Sequence, residues 1–477
     1  MKEMLYINDC LTSFAHDQFV AKCSVSAAER GGVSKILLTR ADCKIFSAEA
    51  MDKQATVSGK VTFKIIYLDR EGKPQGLDYF CDINEKIEGE EITSAISLLP
   101  VCSVVDVTSE LSGEDIELSA VCDIELNGVR KTEIKCLDLE GEYVVKTKTQ
   151  DLIRVNRLPD VTFELTEETS AESKVDKVLL FDASATVTEV SENGSASGYA
   201  AADIIYVDDG NVKSKRIILP FTEEIEAGAK DVTATIKNSR LVLMGEDETV
   251  FNVELLVTLR GHSLSSESVE TQADAFSLTK ELTCDYGKLP CRKFAKEYKL
   301  ETPVSVSADQ DELPEGSKIS AYAPGRVTIA NLIPSDDTAT VEGLAVANVL
   351  YTIDGGVKAV QIDLPFSVSL SAEGMEADDH LSAEAAISNL TVGLAANVLK
   401  ITAVLDVRVK DYKTYNLEWI ASCEEGEEKA LSPYGFSVYF ASKNRDKWDV
   451  AKELNVDPED LEANDDDKLV VFRKRKD

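Results

Sequence analysis

The chain has 477 residues, a formal net charge of −35 and 44% hydrophobic residues, the make-up of a water-soluble globular protein with room for roughly three domains of about 150 residues each. Such an acidic balance argues against nucleic acid and anionic membrane surfaces as partners, because both need concentrated Lys and Arg. No apolar run approaches the roughly 20 residues of a membrane span, and Met1 to Phe19 lacks the basic start and apolar stretch of a signal peptide.

In chain order, the first clear element is Gly59 to Tyr67, GKVTFKIIY. Val61, Phe63, Ile65 and Tyr67 alternate with Thr62 and Lys64, the period of a half-buried strand. The acidic–Gly stretch Asp69 to Gly72 then reads as a hairpin turn. An apolar run before Asn127 closes the segment. The phrase returns at Gly198 to Tyr206, with a turn at Asp208 to Gly210 and a closing run before Arg260. It returns again at Gly343 to Tyr351, with a turn at Asp354 to Gly356 and a closing run before Arg408. The Tyr follows the Gly by 8 residues each time, and the copies stand 139 and 145 residues apart. Solenoid periods run to roughly 20–50 residues, so this is the spacing of whole domains. In copies two and three a Pro-Phe pair places Phe221 and Phe366 15 residues past the Tyr; copy one has Phe80 at 13 and no Pro. Each copy reads as a hairpin followed by further strands, a small β-sandwich or barrel-like domain. The expected domains are 1–160, 161–305 and 306–430. The three Tyr are expected to pack in cores and tie their hydroxyls locally.

Catalytic signatures are missing from the sequence. His16, His262 and His380 share no repeat position, and no phosphate loop, nucleophile elbow or paired-Cys zinc spacing occurs. Carboxylates read as solvated faces and turns; an acid pair in one β domain is the enzymatic alternative. The ten Cys do not recur at matching positions, and seven fall in the first domain. They are expected mostly as small buried hydrophobes in a reducing compartment. Cys284 and Cys291 are the nearest to a redox or metal pair, with no further ligand nearby. No cofactor or metal is expected.

After Pro433 the pattern changes. Gly435 to Phe440 reads as a strand and Asp446 to Leu454 as a helix with Trp448, Val450, Ala451 and Leu454 on one face. Asp457-Pro458 opens a second helix that ends at Asn464, and Leu469 to Phe472 closes as a strand. This segment carries 9 basic and 11 acidic residues, a net of −2 against −33 for the rest. Its strand–helix–helix–strand order and the words Trp448-Asp449-Val450-Ala451-Lys452-Glu453-Leu454-Asn455-Val456 and Pro458-Glu459-Asp460-Leu461 resemble a LysM domain, at 433–477. Asn444-Arg445-Asp446 stands where LysM domains usually carry Gly-Asp-Thr, and the loop from Asn464 to Lys468 is short. Both loops line the sugar groove in glycan-binding LysM domains.

The Ile-Ile-Tyr or Val-Leu-Tyr strand, the acidic turn and the Leu-Pro-Phe that follows are similar to the SPOCS domain. Three such domains and a LysM resemble the SipL and SpoVID class of spore morphogenetic proteins. The resemblance implies a mainly β fold, three tandem SPOCS domains and a small α+β LysM. It implies a non-enzymatic scaffold in the mother-cell cytosol at the forespore surface, with a SpoIVA-type coat-basement ATPase and other coat proteins as partners. On that reading Lys443, Asn444, Arg445, Lys447, Trp448 and Asn464 are the partner-binding residues. Gly59, Tyr67, Gly198, Tyr206, Phe221, Gly343, Tyr351 and Phe366 are the structural repeat positions. The alternative is a LysM that binds N-acetylglucosamine of peptidoglycan. Open β edges also invite self-association.

Overall fold

The computed structural model describes the chain except residues 27, 29–30, 114, 246, 309–312, 396, 430–436, 439–445, 465–467 and 472–477. It is mainly β, with 81% of residues in strands and 3% helical. Three units follow one plan: a leading strand, a three-stranded meander and a closing hairpin.

Unit one holds β1 (Lys2–Ser26), β2 (Lys35–Met51), β3 (Gln54–Leu68), β4 (Pro74–Glu88), β5 (Ser97–Ser112) and β6 (Asp115–Asp138). Its sheets run β2-β3-β4 and β1-β6-β5. Unit two splits the leading strand into β7 (Tyr143–Arg157) and β8 (Val161–Ser170), followed by β9 (Val175–Ser191), β10 (Ser195–Asp208), β11 (Asn211–Glu224), β12 (Ala229–Met244) and β13 (Val250–Ser277). The meander is β9-β10-β11, and β13 is flanked by β12 on one side and by β7 and β8 on the other. Unit three holds β14 (Lys280–Ala308), β15 (Lys318–Ser335), β16 (Thr338–Ile353), β17 (Gly356–Ser371), β18 (His380–Ala395) and β19 (Val398–Glu428), in sheets β15-β16-β17 and β14-β19-β18. Each pair of sheets closes face to face over an apolar core, the sandwich alternative of the sequence reading.

This pairing corrects the expected boundaries. β7 lies before position 160 yet pairs with β13, so it belongs to unit two. β14, which straddles position 305, pairs with β19 along its length and belongs to unit three. The leading strand precedes the repeated phrase by many residues and carries no copy of it, so its ownership is set by long-range pairing alone.

Local sequence explains the meanders. Asp209 and Gly210 (φ 47° and 75°) turn β10 into β11, and Asp354 and Gly355 (φ 49° and 75°) turn β16 into β17. Two successive positive φ values match the right-handed twist of the strands they join. In unit one the turn is longer, and Asp69 Oδ1 closes it by accepting the N–H groups of Glu71 and Lys73, both at 2.9 Å. Tyr67, Tyr206 and Tyr351 are buried in the three sandwich cores.

The repeated Gly has a steric cause. It sits where the neighbouring strand bulges, and a Cβ at Gly59, Gly198 or Gly343 would lie 2.3, 2.1 or 2.3 Å from a backbone oxygen of that strand. Phe221 and Phe366 pair with Gly198 and Gly343 and lay their rings over them. In unit one the residue paired with Gly59 is Ile83, which is buried, whereas Phe80 is 61% exposed. The missing Pro-Phe of copy one is therefore a substitution by Ile at the same register, and Phe80 is not its equivalent.

The central strands are buried more completely than the half-buried pattern predicted. Ile66, Ile205 and Leu350, each one residue before its Tyr, point away from the sandwich interior and are 0% exposed. They join residues such as Leu38, Leu180 and Ala321 in a cluster drawn from all three units. The unbroken apolar runs Ala200 to Ala202 and Ala345 to Ala347 are the sequence mark of a strand covered on both sides.

The leading and closing strands also overrun their sandwiches. Lys2–Ser13 pairs with Asn127–Asp138, His262–Ser277 with Tyr143–Arg157, and Lys280–Phe294 with Tyr412–Glu428. These three ribbons pack together over a second shared core, with Cys10 and Ile134 from unit one, Leu152 and Val269 from unit two, and Cys291 and Leu417 from unit three. Cys284 bonds to Cys423, its register partner across the third ribbon, with Cα atoms 4.2 Å apart. The suggested Cys284–Cys291 pair is thereby corrected: seven residues of one strand span roughly 23 Å.

Candidate partner-binding site

The three units meet in a cycle, and each contact is rimmed by charge. Between units one and two, Asp182 of β9 pairs with Arg40 (2.9 Å) and Lys64 (3.3 Å). Burial pushes the Asp182 carboxyl up, but these two cations outweigh it and hold its pKa below the usual value. Between units two and three, buried Lys410 pairs with Asp231, and the Tyr199 hydroxyl donates to Asp406 at 2.7 Å. Between units three and one, Arg326 reaches Asp106 at 3.5 Å. The ribbons are stitched by side chains that stand in for strand neighbours. Asn8 Oδ1 accepts the Ile153 N–H at 2.7 Å and Asp9 Oδ2 the Val155 N–H at 3.0 Å. Gln150 exchanges hydrogen bonds with the Glu418 main chain in both directions, at 2.7 and 2.8 Å. Backbone groups of Ile153, Val155 and Glu418 are thus satisfied internally instead of being left for another chain.

The C-terminal unit sits on the end of the second ribbon. It comprises β20 (Ser437–Val438), α1 (Lys447–Leu454), a single 3₁₀ turn (Pro458–Asp460), β21 (Leu461–Asn464) and β22 (Lys468–Val471), in sheet order β20-β22-β21. The expected second helix is corrected to this 3₁₀ turn. Asp457 caps it by accepting the Glu459 N–H at 2.9 Å, as the Asp-Pro signal implied. The following residues, Leu461 to Asn464, pair with β22 at four register positions instead of winding on, so the ladder takes the backbone groups a further helical turn would have used. α1 starts at Asp446, whose side chain accepts from the Trp448 N–H, and stops at Asn455 in the left-handed conformation.

The apolar face of α1 is spent on this internal contact. Trp448 is 7% exposed and packs edge-on against Phe276 of β13, ring centroids 5.2 Å apart. Trp448 Nε1 donates to Asp274 Oδ2 at 2.7 Å, while Lys452 Nζ and the Tyr286 hydroxyl donate to Asp274 Oδ1 at 2.6 and 2.5 Å. Burial raises the Asp274 pKa, but these three donors outweigh it and leave the group lowered. Asn455 ties the helix end to the body, donating to the Leu278 carbonyl and accepting from Lys429, both at 2.7 Å.

Of the expected partner residues, Lys443, Asn444 and Arg445 lie outside the described residues. Lys447 is exposed at the start of α1, and Asn464 pairs with Lys468 at the end of β21. Trp448 faces the body of the protein. Sequence reasoning missed Asp274, Phe276 and Asn455, since nothing near the first two announces a partner nearly two hundred residues downstream. What α1 turns outward is polar: Lys447, Asp449 and Glu453.

The fold and site define a chain of three tandem β-sandwiches carrying a small docked C-terminal unit. A family model described as SipL, SPOCS domain matches residues 323–395, from within β15 to the end of β18. Over those residues the third sandwich is therefore similar to a SPOCS domain. No curated protein and no solved structure matches it. Among the described residues no helix is long and apolar enough to cross a membrane.

Proposed function

We propose that the protein is a non-enzymatic adaptor of spore coat assembly, working in the mother-cell cytosol at the forespore surface. The observation that carries this reading is the SPOCS match on the third sandwich. In this reading the three sandwiches form one body, and the C-terminal unit presents its polar face and the segment around Lys443, Asn444, Arg445 and Lys447 to a SpoIVA-type coat ATPase. Two features support a protein partner over a sugar. Trp448 is buried against Phe276, and the sequence departs from the glycan-binding pattern at Asn444-Arg445-Asp446. The full chain is tested in parallel against the purified ATPase and N-acetylglucosamine oligomers. ATPase binding that Arg445→Glu abolishes is the expected result. Sugar binding without ATPase binding sinks the proposal and assigns the C-terminal unit to peptidoglycan.

A further inference from the structure

Five of the eight free thiols lie in the first sandwich or its margin: Cys23, Cys43, Cys81, Cys102 and Cys122. Three of them converge from three strands. Cys43 comes from β2 in one sheet, Cys102 and Cys122 from β5 and β6 in the other. Their Sγ atoms all lie within 4.8 Å of one another, with Cys43 and Cys102 at 2.8 Å. Cys122 is 0% exposed, and the other two are half-buried where β2 meets β5.

The same registers can be read in the other sandwiches. Cys43 pairs with Val61, and the residues paired with the equivalent Ala200 and Ala345 are Ala185 and Val327. Cys102 pairs with Ile124, and its counterparts, paired with Val257 and Leu405, are Ile236 and Ile387. Counting back from the ends of the closing runs, Cys122 corresponds to Leu255 and Ala403. Apolar side chains fill this point twice and three thiols fill it once. Packing alone does not require sulfur there, because the same fold closes without it.

We propose that Cys43, Cys102 and Cys122 form a binding site for a thiophilic d10 cation, Cu(I) or Zn(II), held between the two sheets of the first sandwich. Soft thiolates select these ions. Thiolates sharing one such ion at about 2.3 Å each sit roughly 3.8 Å apart, so small side-chain rotations within the observed spread suffice. Three protein ligands suit trigonal Cu(I) directly. Zn(II) would take a fourth ligand from solvent at the half-exposed side. Each metal–sulfur bond that forms replaces an S–H bond and releases that proton to solvent, with no change of oxidation state.

The test uses the full chain, reduced and handled without oxygen, loaded in separate arms with Zn(II) and with Cu(I) held in a chelator buffer. Retained metal is counted after desalting. The comparison is the variant Cys43→Ala/Cys102→Ile/Cys122→Leu, which installs the residues of the second sandwich. The expected result is one ion per wild-type chain in at least one arm and loss of that ion in the variant. Alkylation of the wild type, mapped by mass spectrometry, should show these three thiols protected by the same metal. This second reading stands even if the variant does not fold. Equal retention by a folded variant, no retention by the reduced wild type, unprotected thiols, or recovery of Cys43 and Cys102 as a disulfide from the anaerobic preparation would each overturn the proposal.

Discussion

The central strand of each meander has two covered faces, and they are stocked differently. Toward the sandwich interior the three copies agree: Val61, Phe63, Ile65 and Tyr67 in the first, Ala200, Ala202, Ile204 and Tyr206 in the second, Ala345, Ala347, Val349 and Tyr351 in the third, all buried. Toward the junction between units they agree at Ile66, Ile205 and Leu350 and diverge at Lys64, Asp203 and Asn348, three residues before each Tyr. An interior needs only volume and apolarity, so one solution serves three times. A junction must also choose which surface meets which, and unlike charges make that choice.

Placing a carboxylate in the apolar part of the junction should break this arrangement most severely. Ile205→Asp buries a charge with no partner and is expected to cost about 4–5 kcal/mol, read as a fall in the denaturation midpoint. If the midpoint hardly moves, the shared cluster is not a core. Trp448→Ala tests the smaller junction of the C-terminal unit. Loss of a buried Trp costs about 3–4 kcal/mol, and here it should appear as selective proteolysis after residue 430 with the body intact. Asp182→Ala leaves Arg40 and Lys64 facing each other without their shared carboxylate. The Asp182 side chain is 24% exposed, so losing it is worth about 2 kcal/mol after partial solvent screening, and Asp182→Asn should recover part of it in the same denaturation assay.

Acid offers a graded version of the same test. The Asp274 pKa is lowered from its usual 3.8. Its contribution to docking is therefore full above that value and disappears as pH falls through the lower folded value. In a Trp419→Phe background, Trp448 fluorescence should stay constant around neutrality and change only below about pH 3.8. A transition near neutrality would mean another group holds the unit. The smallest effect is expected from Lys452→Met, since its side chain is 40% exposed and solvent screening leaves the pair about 0.5 kcal/mol.

Much of this was legible in the chain. The tandem count, the strand phase of Val61 to Tyr67 and the Asp-Gly turns follow from local patterns that one strand or one turn enforces by itself. The second covered face does not follow from the alternation of Val61 to Tyr67, which reads as half-buried, although the apolar runs at Ala200 and Ala345 carry the mark of a strand covered on both sides. What stayed hidden was pairing over long distance. The ownership of β7 and β14 depends on partners about ninety to a hundred and fifty residues away. The second helix of the C-terminal unit failed because a good cap, Asp457-Pro458, starts a turn but does not decide whether β22 captures the residues after it. For the partner site, the sequence put Trp448 on an apolar helical face but could not say that Phe276 and Asp274 lay across from it.

The cycle of three sandwiches has the layout of a trimer written on one chain. A symmetric trimer of identical subunits must place the same side chain three times around its axis. A lysine at the position of Lys64 would then recur where Asp203 and Asn348 stand, so the pairs Lys64–Asp182 and Arg216–Asp203 could not both be kept. Joining the three units end to end removes that constraint. Each copy can be changed without changing the others, so one sandwich can carry thiols, another can carry the docked C-terminal unit, and the assembly keeps a fixed order that no exchange of subunits can scramble.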